Sequence, residues 1–174
     1  MFASDLKQDT ARVKPATPVQ VRVHKHCTDI EIADVSASEV RASKGDMVIV
    51  AYRKKDPVAY IFVATSNTWV GEIDDWLYIG PREVYLYDAY TMPDHRGSGI
   101  YPFLLCTARD YFCQRSFEHA IICSTARNQA SIKGIERSGF HCYQVVTYLN
   151  ILGWRSWRYE VGERHVRARL RNES

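Results

Sequence analysis

The segment PDHRGSGIYPFLL, residues 93–105, constrains the fold of this chain more than any other stretch. Gly97 and Gly99 flank a serine, and glycine costs backbone entropy unless the turn needs its conformational freedom. An apolar run follows with Pro102 near its start, where proline is tolerated because it falls in the first turn of a helix. The segment therefore predicts a glycine turn leading into a helix that begins near Ser98 or Gly99.

Such a turn is typical of an anion site. The first N–H groups of a helix have no partner within the helix, and the helix dipole favours negative charge there. We expect the N–H groups of residues 97–100 to point outward, with Arg96 adding a positive charge. Because the strand-like VYLYDAYTM, residues 84–92, leads into the turn, the arrangement predicts a phosphate cradle.

Two well-known nucleotide-binding motifs are absent from this loop, which limits the classes of phosphate-bearing ligand it could bind. A Walker A loop needs Gly-Lys-Ser/Thr, which is missing. A Rossmann fingerprint needs a third glycine shortly after Gly99, and neither Pro102 nor Phe103 is one. On this loop alone, a tight strand-to-helix turn without any ligand is an equally good interpretation.

The remaining chain alternates strand-like and helix-like segments. Strand patterns occupy residues 19–26, 46–53, 58–65, 84–92, 119–125, 142–152 and 154–161. Helices are predicted at residues 36–44, 100–115 and 128–138. Hairpins followed by strand and helix in alternation indicate a mixed sheet flanked by helices.

Length and composition bound the class of protein. A chain of 174 residues with 46% hydrophobic and 25% charged residues is typical of one globular domain. We expect a polar, loosely held lead-in over residues 1–18, a single domain over 19–162, and a basic tail or edge strand over 163–174. The net charge of +3 is too small to indicate nucleic acid by itself.

The cysteines and apolar runs predict a cytoplasmic location. Five cysteines without a CxxC pair favour reduced thiols over a disulfide framework. We expect neither a signal peptide nor a membrane partner, because no apolar run has the required position or length. His24 and His26 share a strand face without a second cluster, so we expect surface histidines and no metal.

Two motifs together resemble those of the GNAT superfamily of acyl-CoA-dependent N-acetyltransferases. PDHRGSGIY resembles the family's pyrophosphate loop, Arg/Gln-x-x-Gly-x-Gly/Ala, with Arg96, Gly99 and Tyr101 at its defined positions. NQASIKGIERSGF resembles the second motif, beginning at Asn128. A helix and a buried strand separate the motifs, as in the family, and the resemblance covers roughly residues 46–152.

The resemblance implies both a fold and a reaction. The fold is α/β (α+β), with a mixed, mostly antiparallel central sheet of about six or seven strands flanked by helices. The reaction moves an acetyl group from acetyl-CoA, the co-substrate, to a primary amine by direct attack. The residues implied to bind acyl-CoA are Tyr90, Thr91, Met92, Arg96, Gly97, Ser98, Gly99, Ile100, Tyr101, Asn128 and Ser131. Backbone N–H groups of residues 90–92 would lie along the thioester and stabilise the oxyanion.

Two positions depart from the family pattern. Tyr101 replaces the last Gly/Ala of the loop, so its side chain must point away from the phosphates or the CoA pose shifts. Ile135 stands seven positions after Asn128, where many members carry the tyrosine that protonates the departing thiolate. Both departures keep open an alternative function, a GNAT-fold module that binds acyl-CoA for sensing or scaffolding.

Candidate catalytic residues come from the strand before the loop. Asp88 lies mid-strand among tyrosines and is the first candidate for the general base; strand alternation places it on a face with Leu86 and Tyr90. A structural aspartate is the competing interpretation. Tyr90 and Tyr143 are the candidates for the acid.

The sequence indicates less about the residues that would form the acceptor pocket. Only one short helix, Ser36 to Lys44, is predicted between the first two strands, where the family usually has two that wall the acceptor pocket. We therefore expect an open cleft beside Trp69, Trp76 and Tyr78, with the connection 66–83 as lid or interface. The acceptor would be a small-molecule, peptide or glycan-linked amine, or a homodimer would close the cleft. The basic segment 163–171 could bind an acidic acceptor, the 3′-phosphate of CoA or RNA, or be a solvated edge strand.

Overall fold

The structure is a computed structural model, and it describes residues 1–10, 12–25, 44–162 and 166–171. Twelve strands and two α-helices lie within these ranges. The strands are β1 (Phe2–Asp5), β2 (Gln20–His24), β3 (Met47–Arg53), β4 (Asp56–Ala64), β5 (Thr68–Val70), β6 (Asp75–Tyr78), β7 (Glu83–Thr91), β8 (His119–Ile122), β9 (His141–Cys142), β10 (Gln144–Ile151), β11 (Trp154–Val161) and β12 (Arg169–Leu170). The helices are α1 (Ile100–Cys113) and α2 (Gln129–Arg137).

Seven strands form the central sheet in the order β2-β3-β4-β7-β8-β1-β9. All neighbours are antiparallel except β7 and β8, which run parallel because α1 returns the chain to the same end of the sheet. Helix α1 packs on β3, β4 and β7, where alternate residues such as Ile49, Ile61 and Leu86 are buried against it. The predicted mixed, mostly antiparallel sheet with flanking helices is confirmed.

The N-terminal segment corrects the sequence prediction. A loosely held lead-in was expected over residues 1–18, but Phe2–Asp5 form an inner strand of the sheet, with Phe2 opposite both Ile122 and Cys142. The buried guanidinium of Arg109 on α1 then holds the following segment by donating to the carbonyl oxygen of Gln8 at 3.1 Å. The first residues are therefore part of the folded domain.

The connection 66–83 holds structure of its own. It contains the β5–β6 hairpin, which β12 extends to a three-stranded sheet in the order β12-β6-β5. β12 is an edge strand of this sheet, and its approach alternates as predicted: Val166, Ala168 and Leu170 are buried while the arginines between them are exposed. The inner face of the small sheet covers a second apolar core under β7 and β8.

Strands β10 and β11 form a separate antiparallel hairpin closed by the two residues Leu152 and Gly153. Both turn residues have positive φ, 52° and 86°, as a tight hairpin turn requires. One face of the hairpin packs on the β5–β6 turn, and the other face is exposed.

Some predictions lie outside the described residues, including the helix at 36–44 up to residue 43, and His26. His24 is described, and its Nε2 atom lies 3.0 Å from the hydroxyl of Tyr52. In the described part of the chain, no group of three or more His, Cys, Asp or Glu side chains could hold a metal ion. No helix there is long and apolar enough to cross a bilayer.

Candidate active site

The site lies where two parallel strands separate. β7 and β8 are paired from Glu83 opposite His119 to Leu86 opposite Ile122, and there β8 ends. β7 continues to Thr91 while paired with β4 on its other side. Among the described strands none pairs with residues 87–91 on the β8 side, and a cavity of about 680 Å³ opens along that edge.

A β-bulge reshapes the end of β7. Tyr87 lies opposite Phe62 and Tyr90 opposite Tyr60, so two residues of β7 oppose one of β4. Asp88 occupies the bulge with a φ of 46°, and it is exposed and lines the cavity. The prediction that Asp88 shares a face with Leu86 and Tyr90 is therefore wrong in its geometry, because the extra residue breaks the alternation.

The hydrogen bonds between β4 and β7 also decide which backbone N–H groups of β7 point to the edge that β8 leaves unpaired. The N–H of Met92 donates to the carbonyl oxygen of Val58 at 2.9 Å, so it is used within the sheet. Since an antiparallel ladder alternates, the N–H of Tyr90 also turns to β4 and that of Thr91 turns to the open side. Of the three N–H groups expected along the thioester, the geometry leaves the one at Thr91.

The glycine turn leads into α1 as predicted. Gly99 is the N-cap with a φ of 77°, Gly97 has a φ of 72°, and α1 begins at Ile100. Pro102 is the third helical residue, and the first helical hydrogen bond comes from Phe103 N–H to Gly99 O at 3.2 Å. Among the described residues, the N–H groups of residues 97–101 form no hydrogen bond to a protein acceptor, which is what an anion cradle requires.

Arg96 is fixed at the mouth of this cradle. Its Nε donates to the carbonyl oxygen of Thr91 at 3.0 Å, and its guanidinium lies 5.4 Å from the ring centre of Tyr90. The ring of Tyr90 in turn stacks on Tyr60 with centres 5.8 Å apart. These contacts hold a positive charge between the end of β7 and the start of α1.

Tyr101 projects from the first turn of α1 toward α2. Its hydroxyl lies 3.2 Å from Ser131 Oγ, and its ring fills the space that a Cβ at Gly134 would need. Burial raises the pKa of Tyr101 to about 12, so the hydroxyl keeps its proton at neutral pH. The bulky residue at the loop's last position is thus accommodated between the two helices.

Asn128 caps α2. Its Oδ1 accepts a hydrogen bond from the N–H of Ser131 at 3.1 Å, and both residues line the cavity. Asn128 therefore stabilises the start of α2, and its side chain remains at the cavity wall.

The cavity lining carries both signs of charge. Arg96 before α1 and Lys133 and Arg137 on α2 are positive, whereas Glu72 and Asp88 supply carboxylates. Sequence reasoning missed Lys133 and Arg137 as site residues, although their spacing of four on one helix places them on one face.

Three predicted residues lie apart from the cavity lining. The N–H of Met92 is used in the sheet, and Ser98 Oγ donates to the carbonyl oxygen of His95. Tyr143 is only 4% exposed in the second core, with its hydroxyl 3.7 Å from the Met1 sulfur. Trp69, Trp76 and Tyr78 do not line it either, so the expected cleft beside them is not this cavity.

The unpaired edge of β7 and the unused N–H groups at the start of α1 agree with the acyltransferase class that the two motifs predict. The model of the acetyltransferase (GNAT) family matches residues 16–140. That match spans more than half of the chain, and the chain belongs to this family. It is an N-acetyltransferase by class, as the motif resemblance implied. A search of curated proteins finds no match.

Solved structures share the fold. Aminoglycoside 6′-N-acetyltransferase AAC(6′)-Ih from Acinetobacter baumannii aligns with a TM-score of 0.55 and 13% identity, over 77% of this chain and 98% of that one. AAC(6′)-Iy in complex with the bisubstrate analogue CoA-S-monomethyl-acetylneamine aligns at 0.53 and 13% identity, over 72% and 92%. A transcriptional regulator from Bacillus halodurans aligns at 0.50 and 18% identity, over 71% and 93%. Identities this low show the fold alone.

Proposed function

We propose that this protein transfers an acetyl group from acetyl-CoA to a primary amine by direct attack. The observation that carries the proposal is the strand gap along residues 87–91, which ends at a helix start with unused N–H groups. In this arrangement the pyrophosphate lies on residues 97–101 beside Arg96, and the pantetheine arm follows the open edge of β7. The N–H of Thr91 is the donor that stabilises the oxyanion.

The proton transfers fall to residues around the bulge. Asp88 takes a proton from the acceptor ammonium, directly or through water, and the amine then attacks the thioester carbonyl. The tetrahedral intermediate collapses, the C–S bond breaks, the thiolate of CoA leaves, and the attacking nitrogen gives up its second proton to water, from which Tyr90 is reprotonated after it has acted as the acid. Ile135 is fully buried and apolar, so the acid that protonates the thiolate is Tyr90, which is 38% exposed at the same edge. Tyr143 is only 4% exposed, which favours Tyr90 over Tyr143 for this role.

Binding and turnover are measured separately. We expect acetyl-CoA to raise the melting temperature and an amine panel to release free CoA thiol. The alternative, an acyl-CoA-binding module with a sensing or scaffolding role, is favoured by the apolar Ile135. It predicts the thermal shift without thiol release from any amine.

Arg96→Ala is expected to weaken acetyl-CoA binding by about 1–3 kcal/mol, because a charged hydrogen-bond donor to phosphate is lost. Isothermal calorimetry measures the dissociation constant, and higher ionic strength should narrow the gap between variant and wild type. Arg115→Ala is the matched control, since Arg115 is an exposed arginine beyond the far end of α1. Equal affinity in all three proteins would contradict the cradle.

The acceptor is an amine on a small molecule, a peptide or a glycan. The AAC(6′) structures are those of aminoglycoside acetyltransferases, which supports an amine acceptor in this fold. The small sheet β12-β6-β5 has an exposed aromatic face. Trp69 is 42% exposed and Tyr78 is 40% exposed, and Trp76 packs edge-on to Trp69 with ring centres 5.9 Å apart. An exposed apolar face of this kind marks an interaction site, and we assign it to a second copy of the chain.

Trp69→Glu is expected to convert a dimer into a monomer, because a carboxylate would be buried without a partner at the interface. Light scattering should give about twice the chain mass of 20.1 kDa for the wild type and the single mass for the variant. Trp154→Glu is the comparison, since Trp154 is 66% exposed on the β10–β11 hairpin, and dissociation by this variant instead would place the interface on the hairpin. A wild-type monomer that prefers peptides to free polyamines would favour a bulky acceptor instead.

A further inference from the structure

The turn between β5 and β6 is held from outside by the β10–β11 hairpin. Asp74 accepts a hydrogen bond from the Tyr148 hydroxyl at 2.9 Å and forms an ion pair with Arg155 at 2.9 Å. The indole N–H of Trp157 donates to the carbonyl oxygen of Ile73 at 2.8 Å. These three contacts fix consecutive residues of a short turn, where a φ of 51° at Asp74 would otherwise be unfavourable.

Glu72 belongs to the same turn but faces a different way. It is the one residue of the connection 66–83 that lines the active-site cavity. Burial raises the pKa of the Cys123 thiol to about 11, and the Glu72 carboxylate contributes to that rise, as it does for Tyr85. Its charge therefore acts at the end of β8, beside the strand gap. In the described part of the chain, Glu72 has no ion-pair partner.

The two signs of charge in the cavity lining assign this carboxylate to the acceptor. Arg96 and the cationic side chains on α2 suit the phosphates of the donor, which leaves the carboxylates Glu72 and Asp88 for the amine. Asp88 is needed to take the proton from the reacting ammonium. A second carboxylate in the same cavity has no task toward a monoamine, and it fits a second positive charge on the acceptor.

We propose that Glu72 is a specificity-determining residue that selects acceptors carrying a second cationic group besides the reacting amine. The β10–β11 hairpin positions it through Asp74 and Ile73. This inference rests on the proposed amine acetylation and names the acceptor class, a dication with two amines.

The test compares 1,4-diaminobutane with 1-aminobutane, which share a carbon chain and differ in one charge. Glu72→Gln is expected to raise the KM for the diamine about tenfold, because a charged hydrogen bond is lost. Its kcat, the KM for acetyl-CoA and the KM for the monoamine should stay unchanged. Glu160→Gln is the matched control, since Glu160 is an exposed carboxylate on β11 that does not line the cavity.

A separate substitution tests whether the β10–β11 hairpin positions Glu72. Tyr148→Phe removes only the hydroxyl that holds Asp74, so we expect a smaller rise in the diamine KM with kcat retained. If Tyr148→Phe lowers the melting temperature but leaves the ratio of the diamine KM to the monoamine KM unchanged, the hairpin has only a structural role. That result would overturn the proposed positioning of Glu72 by the hairpin.

Calorimetry keeps the inference separate from the proposed function. If no amine releases CoA thiol, the proposed acetylation fails, and binding of 1,4-diaminobutane to the CoA-saturated protein then decides the role of Glu72. Tighter binding of the diamine by wild type than by Glu72→Gln supports it. The proposed role of Glu72 is overturned if wild type and Glu72→Gln bind the diamine with equal affinity, or if wild type binds 1,4-diaminobutane and 1-aminobutane with equal affinity.

Discussion

Asp88→Asn is expected to lower kcat by about 10²–10⁴-fold while changing the KM for acetyl-CoA little, because a general base acts in the transition state. Asparagine is the suitable replacement for a structural reason. Asp88 has a φ of 46°, a conformation that asparagine tolerates and most other residues do not. The bulge should therefore persist, whereas alanine would add backbone strain to the loss of the carboxylate.

Asp94→Asn serves as the control for this experiment. Asp94 is an exposed aspartate six residues further on, in the short 3₁₀ turn Pro93–His95, and it does not line the cavity. Steady-state thiol release with a saturating amine measures kcat for both variants. An unaltered kcat in Asp88→Asn would leave Asp88 a structural residue of the bulge.

The phosphate cradle could be predicted from sequence because its determinants are local. Two glycines and a proline within six residues limit the backbone to a left-handed turn followed by a helix start. The structure has α1 beginning at Ile100, one residue after the second glycine. Local steric rules of this kind do not depend on which other segments pack nearby.

The face of Asp88 could not be predicted in the same way. Period-two alternation holds for a regular strand, and nothing in YLYDAYT marks where an extra residue enters. The bulge is visible only in the pairing with β4, where Tyr60 and Phe62 stand opposite Tyr90 and Tyr87. The N–H of Met92 was misassigned for the same reason, since its direction follows from the ladder.

The inner strand β1 was missed because its stability is non-local. FASD is four residues long with one large apolar side chain, too little to predict a strand from propensity. It forms because β8 and β9 pair with it on both edges, from more than a hundred residues away in the chain. The position of Glu72 at the cavity is also non-local, because the β10–β11 hairpin holds the neighbouring residues Ile73 and Asp74.

Gly99→Val is expected to abolish acetyl-CoA binding, with the dissociation constant rising more than about 100-fold. Two causes are separable. A valine side chain could occupy the space of the phosphate, or it could prevent the left-handed backbone that aims the N–H groups. The structure favours the second, because a Cβ at Gly99 would lie in ordinary contact, 3.6 Å, with Lys14 O and Pro15 Cα. A φ of 77° is strongly unfavourable for a β-branched residue, so the turn would rearrange.

Gly99→Asn distinguishes these causes, since asparagine tolerates a positive φ but carries a side chain of comparable size. If backbone conformation is decisive, calorimetry should find acetyl-CoA binding largely retained in Gly99→Asn and lost in Gly99→Val. Circular dichroism and melting temperature establish that both variants fold. Loss in both would indicate that side-chain volume is decisive because the phosphate comes close to Gly99. Wild-type affinity in a folded Gly99→Val would move the phosphate site away from the start of α1, because no anion could use these N–H groups once their turn had changed.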